Sequence, residues 1–81
     1  MKLYYTSKFK RDFKNLPAST RDKFYKQATF LLKDSRHPSL RVKKYSEERN
    51  IWQGRVDDSF RFYFLIERDS YVLLRIRKHP K

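Results

Sequence analysis

Phe60-Arg61-Phe62-Tyr63-Phe64-Leu65-Ile66-Glu67 decides the fold, because its side chains split by strict alternation into Phe60, Phe62, Phe64 and Ile66 on one side and Arg61, Tyr63 and Leu65 on the other. A period of two with one arginine inside it predicts a strand that buries one face and keeps the other accessible. The same period marks Ile51 to Val56 before it and Tyr71 to Arg77 after it. Asp57-Asp58-Ser59 and Arg68-Asp69-Ser70 separate the three runs and are short enough for hairpin turns, so an antiparallel meander is expected. In the third run, Val72, Leu74 and Ile76 are expected on the core face. Tyr71, Leu73, Arg75, Arg77 and His79 are expected to join Arg61 and Tyr63 on the open one.

Upstream the period lengthens. Leu3 and Tyr5 suggest a short strand ending at Thr6, after which Ser7 offers an N-cap and Phe9, Phe13 and Leu16 share a helical face. Pro17 closes that helix. Ser19 or Thr20 can cap a second one, whose stripe is Phe24, Ala28, Leu31 and Leu32, and the two helices are expected to form a hairpin. The segment from Arg41 to Asn50 is polar and charged, with Val42 and Tyr45 as its large anchors, and is expected to be mostly irregular. The reading is one α+β domain over residues 1–81: an N-terminal strand, a two-helix hairpin and a three-stranded antiparallel meander, as a single sheet with the helices on one face.

Composition narrows the partners. Twenty-one Lys and Arg against nine Asp and Glu give a formal net charge of +12, spread along the chain, and a folded domain this small calls for a polyanionic partner at that charge. Nucleic acid comes first and an acidic protein second. A membrane partner is not expected, since the charges fall on strands and loops as well as helices and no apolar run approaches a membrane span. With no apolar leader after Met1, a soluble cytoplasmic protein is expected. A single Gly excludes a Gly-rich phosphate loop, and the absence of Cys and of clustered His and Asp argues against a metal or cofactor site.

What remains is a basic surface with one titratable imidazole. Arg61, flanked by Phe60 and Phe62, either snorkels at a sheet edge or is held for an anion. Arg75 and Arg77 share its expected face, and His79 carries the side chain whose ordinary pKa, about 6.5, suits proton transfer near neutrality. Phosphodiester chemistry without a metal needs those groups. Lys43, Lys44, Arg55 and His37 are expected as phosphate contacts, with Tyr63 as a base-stacking side chain. His37 before Pro38 also fits turn chemistry. Glu47 and Glu48, the carboxylates nearest the basic segment, either act as a general base or balance its charge.

The element order, His37-Pro38-Ser39-Leu40 with Arg41-Val42-Lys43-Lys44, Ile51-Trp52, the strand entry Asp58-Ser59-Phe60-Arg61, and Leu74-Arg75-Ile76 followed by His79 together resemble the RelE/ParE toxin superfamily of bacterial type II toxin-antitoxin systems. The resemblance covers essentially the whole chain. It implies a small basic toxin neutralised by a cognate acidic antitoxin. In the RelE-like branch it implies a ribosome-dependent endonuclease that cuts mRNA in the ribosomal A site, beside rRNA, without cofactor. By position, Arg61 matches the family's strand arginine at the scissile phosphate, His79 its C-terminal acid-base histidine, and Lys43 and Lys44 its basic phosphate contacts. Arg77-Lys78 stands where many relatives have Gly-Thr, and relatives usually extend further past the histidine. A ParE-like gyrase-binding toxin, or a catalytically silent antitoxin-binding member, is therefore the alternative expectation.

Overall fold

The computed structural model describes residues 1–79. Its elements run β1 (Lys2–Tyr5), α1 (Ser7–Lys14), α2 (Ala18–Lys33), a 3-10 turn (Pro38–Leu40), β2 (Lys43–Ser46), β3 (Ile51–Arg55), β4 (Phe60–Ile66) and β5 (Ser70–Lys78). The five strands make one sheet in the order β1-β5-β4-β3-β2. β2 to β5 are an antiparallel meander, and β1 lies parallel to β5 with Lys2 opposite Ser70 and Tyr5 opposite Leu73.

The meander therefore has four strands, not three. Residues 43–46, expected to be irregular, pair with β3 through Lys43 opposite Gln53 and Lys44 opposite Trp52, then slip by one residue so that Ser46 meets Ile51. That slip leaves Tyr45 as an extra residue, a β-bulge in a strand of only four residues. Asn50 closes the turn to β3 in the left-handed region at φ 56°, a conformation that asparagine tolerates better than most residues.

A second bulge corrects the expected faces of β5. Phe64 pairs with Leu73 and Tyr63 with Arg75, so Leu74 is the extra residue and the alternation shifts across it. Before the bulge, Tyr71 and Leu73 point to the core, and after it Ile76 does; Val72 and Leu74, expected in the core, do not. A one-residue shift reverses every side chain beyond it, and for that reason Arg75 and Arg77 still fall on the open face.

The core lies between the helices and one face of the sheet. Phe9, Phe24, Phe62, Phe64, Leu31, Leu40, Leu73 and Ile76 are fully buried there. Phe24 bridges the layers, with its ring centroid 5.3 Å from Phe9 and 5.5 Å, edge-on, from Phe62. Burying each such ring stabilises the fold by about 1.5–3 kcal/mol. Gly54 is the sheet position that admits Phe62, since a Cβ there would come 2.3 Å from the Phe62 ring.

Both helices start earlier than expected, α1 by one residue and α2 by two or three. Thr6, not Ser7, caps α1: its Oγ1 accepts from Phe9 N at 3.2 Å and donates to Leu73 O at 2.8 Å, tying the helix to β5 at the bulge. α2 begins at Ala18 after Pro17, without a side-chain cap, and places Ser19 and Thr20 inside its first turn. In its stripe Leu32 is exposed and Gln27 takes the buried place, because the Gln27 amide donates to Ser39 O at 3.1 Å and Arg55 O at 2.8 Å. One buried side chain thus joins α2 to the 3-10 turn and to β3. No helix among the described residues is long and apolar enough to cross a membrane.

Candidate functional site

The helices cover one face of the sheet, and pairing fixes what lies on the other. Arg55 is opposite Arg61 and Arg61 opposite Arg77, so three arginines form one cross-strand row. The next row is Lys43, Gln53, Tyr63 and Arg75. Like charges directly opposite one another are destabilising, so the first row costs stability unless counter-charge is near. Asp58 pairs with Arg55 across the β3–β4 turn. Among the described residues Arg61 has no carboxylate partner; its guanidinium donates to Asp57 O and, at 2.9 Å, to Phe60 O. Among the described residues Arg77 has neither, and it is exposed.

The same turn is held from below. Asp57 accepts from Ser59 N and Phe60 N, both at 2.8 Å, and lies 3.5 Å from Lys23 of α2. Burial would raise the Asp57 carboxyl, but those N–H groups and Lys23 outweigh it and hold it below the ordinary carboxylate range. His79 extends β5 beside this turn, with its N–H donating to Ser59 O at 2.6 Å. Two buried nitrogens at this end, Arg55 Nε and His79 Nδ1, have no hydrogen-bond partner among the described residues. An unsatisfied buried polar atom costs about 1–3 kcal/mol, which an incoming acceptor offsets.

Arg75 is fixed differently. Its Nε and Nη2 donate to Asp12 of α1 at 2.7 and 3.0 Å, a bidentate pair, and Asp12 also accepts from Ile76 N at 3.2 Å. Burial pushes Asp12 upward, yet the Arg75 and Ile76 hydrogen bonds and the charges of Arg75 and Arg77 hold it below its usual value. The Asp12 hydrogen bond in turn raises the Arg75 pKa, so the guanidinium stays charged. Asp12 is the sole acid of α1, among four cations, which is the signal the sequence offered for it.

Beside Arg75 and Arg77 the surface opens into a cleft of about 620 Å³ between the β2–β3 turn and the start of α1. Tyr45 and Tyr63 meet in it edge-on, with ring centroids 4.8 Å apart. Burial, and then Tyr45, raise the Tyr63 hydroxyl pKa, partly opposed by the nearby charges of Arg77 and Arg61. Lys8, Arg49 and Tyr45 line the same cleft and were not anticipated as site residues.

Other expected residues lie apart from the row. Lys44 is on the helix side, its Nζ 4.4 Å from the Trp52 ring centroid, and bonds Asn50 Oδ1 at 2.6 Å. Glu47 lies 3.8 Å from Lys44 on the exposed turn, where Glu48 is exposed as well. His37 stacks on Phe30 at 3.9 Å, and its Nδ1 accepts from Ser39 N at 3.2 Å, which caps the 3-10 turn. Lys43 remains on the open face at the sheet edge. Among the described residues no three of His, Cys, Asp and Glu converge to hold a metal ion.

A five-stranded sheet with β1 parallel to the last strand and two helices on one face is a fold shared with solved toxins of toxin-antitoxin systems. Among solved structures the chain is similar to the YoeB/ParE toxin from Agrobacterium tumefaciens, with a TM-score of 0.81 at 15% identity over 99% of this chain and 100% of that one. It is similar also to the YoeB dimer from Staphylococcus aureus, with a TM-score of 0.81 at 9% identity over 99% and 98% of the two chains. The RelBE2 toxin-antitoxin complex from Mycobacterium tuberculosis matches with a TM-score of 0.76 at 18% identity over 96% of each. No family model matches the sequence, and no curated protein matches it.

Proposed function

We propose that this chain is the toxin of a type II toxin-antitoxin system and a ribosome-dependent endoribonuclease acting on mRNA in the A site. The observation that carries this reading is the row Arg55, Arg61 and Arg77, in which, among the described residues, neither Arg61 nor Arg77 makes a salt bridge. A phosphodiester supplies the missing counter-charge. In the reaction, the 2'-hydroxyl of the substrate attacks the adjacent phosphorus, the bond to the 5'-oxygen breaks, and a cyclic phosphate remains on the upstream fragment. Arg61 and Arg77 stabilise the charge gathered on the non-bridging oxygens, as preorganised donors do. His79, two residues beyond Arg77 on the same chain segment, takes the proton of the attacking hydroxyl or supplies one to the leaving oxygen. The partner that silences the toxin is an acidic antitoxin, and the crystallised toxin-antitoxin complexes of this fold support that reading.

The test is a reconstituted translation reaction with mRNA 5' ends mapped by primer extension. Cuts within the reading frame that need ribosomes are expected. They should fall by about 10² to 10³-fold in Arg61→Ala and by about 10² to 10⁴-fold in His79→Ala. Intact mRNA with folded protein overturns the nuclease reading. Inhibition of DNA supercoiling in that case assigns the basic face to gyrase instead.

A further inference from the structure

The cleft next to the arginine row has features that phosphate binding alone does not require. Among the described residues four cations line it, Lys8, Arg49, Arg77 and the Asp12-paired Arg75, and no carboxylate does. The paired rings of Tyr45 and Tyr63 line it too, and Ile51 and Leu74 add apolar surface. Both bulges build it. The extra residue in β2 is Tyr45 and the extra residue in β5 is Leu74, so each departure from regular pairing delivers one aromatic or apolar group to this place.

Tyr45 is the informative side chain. It is 61% exposed although its neighbour Tyr63 is half-buried, so one ring is packed and the other presents a bare π-surface. The exposed Tyr25 offers a contrast: it lines an apolar hollow of about 220 Å³ with a single cation, Lys10. An exposed ring in a cleft that also carries Lys8, Arg49 and Arg77 matches a group that is flat, aromatic and attached to an anion, which is the chemistry of a nucleotide. The volume, about 620 Å³, is also in the range of small-ligand sites.

We infer that this cleft seats one unpaired nucleobase of the RNA strand on Tyr45, with its phosphates toward Arg49 and Lys8 on one side and Arg77 on the other. Tyr45 then acts as a positioning and selectivity residue, while the arginine row beside it meets the phosphodiester. The inference rests on the reading of the open face as an RNA surface, and it does not require that the RNA be cut.

The experiment compares binding of the full chain to two fluorescent probes at low salt by anisotropy: a short oligouridylate, and a ribose-phosphate strand of the same length and charge that lacks bases. The wild type is expected to prefer the base-bearing strand by roughly 5- to 100-fold, the range of one base stacked on one aromatic side chain. Tyr45→Phe should keep that preference and Tyr45→Ala should erase it, with affinity for the baseless strand unchanged. Arg49→Ala should weaken both probes alike and lower the salt dependence. Equal binding of the two probes by the wild type overturns the seat without any variant, as does a preference that survives in Tyr45→Ala. Base preference without cleavage in the translation reaction keeps the seat and removes the nuclease; cleavage without base preference does the reverse.

Discussion

The two faces of one sheet are built by the same strands from opposite chemistry. On the covered face, Phe62 and Phe64 are enclosed by Phe9, Phe24 and Leu31 of the helices, and the residues there satisfy one another. On the open face, neighbouring strands place Arg55, Arg61 and Arg77 in register, where they repel. The covered face holds the chain together, and the open face spends part of that stability on a surface that only an anion completes. Alternation keeps the two apart, since a side chain on one face of a strand is two residues from its nearest neighbour on that face.

The comparison can be broken most forcefully from the covered side. Phe62→Ala should cost about 3–5 kcal/mol, measured by denaturant unfolding, because the cavity opens under Phe24 and Phe64. A loss below about 1 kcal/mol would mean that the core does not centre on this ring.

Asp12→Asn tests the one strong link between the faces. It removes the charge that pairs with Arg75 while keeping the shape, and should cost about 1–2 kcal/mol at neutral pH, since both side chains are partly accessible. It should leave Arg61-dependent cleavage within a few-fold if Asp12 serves only to hold Arg75. The pH dependence follows from the same pair. Asp12 and Asp57 both have folded values below the ordinary carboxylate range. Their contribution is therefore complete above the unfolded value, about pH 4, and is lost as pH falls through the lower folded values. A melting-temperature series should show an acid limb that is shallower in Asp12→Asn than in the wild type.

The smallest effect is the most discriminating. Arg77→Ala removes an exposed charge that faces Arg61, so stability should change by no more than about 0.5 kcal/mol, or rise slightly. RNA affinity should fall across sequences, with the salt slope reduced by about one unit. A large loss of stability in Arg77→Ala would make the open face structural after all.

Much of this plan was legible in the sequence because the chain changes period cleanly. Phe60 to Glu67 alternates over eight residues without a bulge within β4, so its faces were readable except at the far end, where Ile66, expected to be covered, is exposed. The β5 faces were half readable: Arg75 and Arg77 were placed correctly and Val72 and Leu74 were not, since nothing in Val72-Leu73-Leu74 distinguishes the residue that bulges. β2 was missed because Lys43-Lys44-Tyr45-Ser46 has no apolar face, and its pairing depends on β3 being present to receive it. The parallel partner of β1 was unreadable because the alternation of Leu3 and Tyr5 marks a strand without naming the edge it joins, which is the β5 edge. At the site, alternation put Arg61, Arg75 and Arg77 on one face, whereas the register of Arg55 and the places of Lys8, Asp12, Arg49 and Tyr45 come only from tertiary structure.

β5, flanked by β1 on one side and β4 on the other, has a consequence for synthesis. The first strand to leave the ribosome waits for the last one, because its hydrogen-bonding partner begins at Ser70. Closing so long a loop is slow compared with local hairpins, and until it closes Thr6 has no Leu73 carbonyl to anchor α1. A nascent chain can assemble α1, α2 and the β2–β4 hairpins early, yet its arginine row lacks Arg77 and its cleft lacks Leu74 and Arg75 until the final strand arrives. The open-face surface is thus completed only when β5 joins the sheet, after the elements that precede it in the chain.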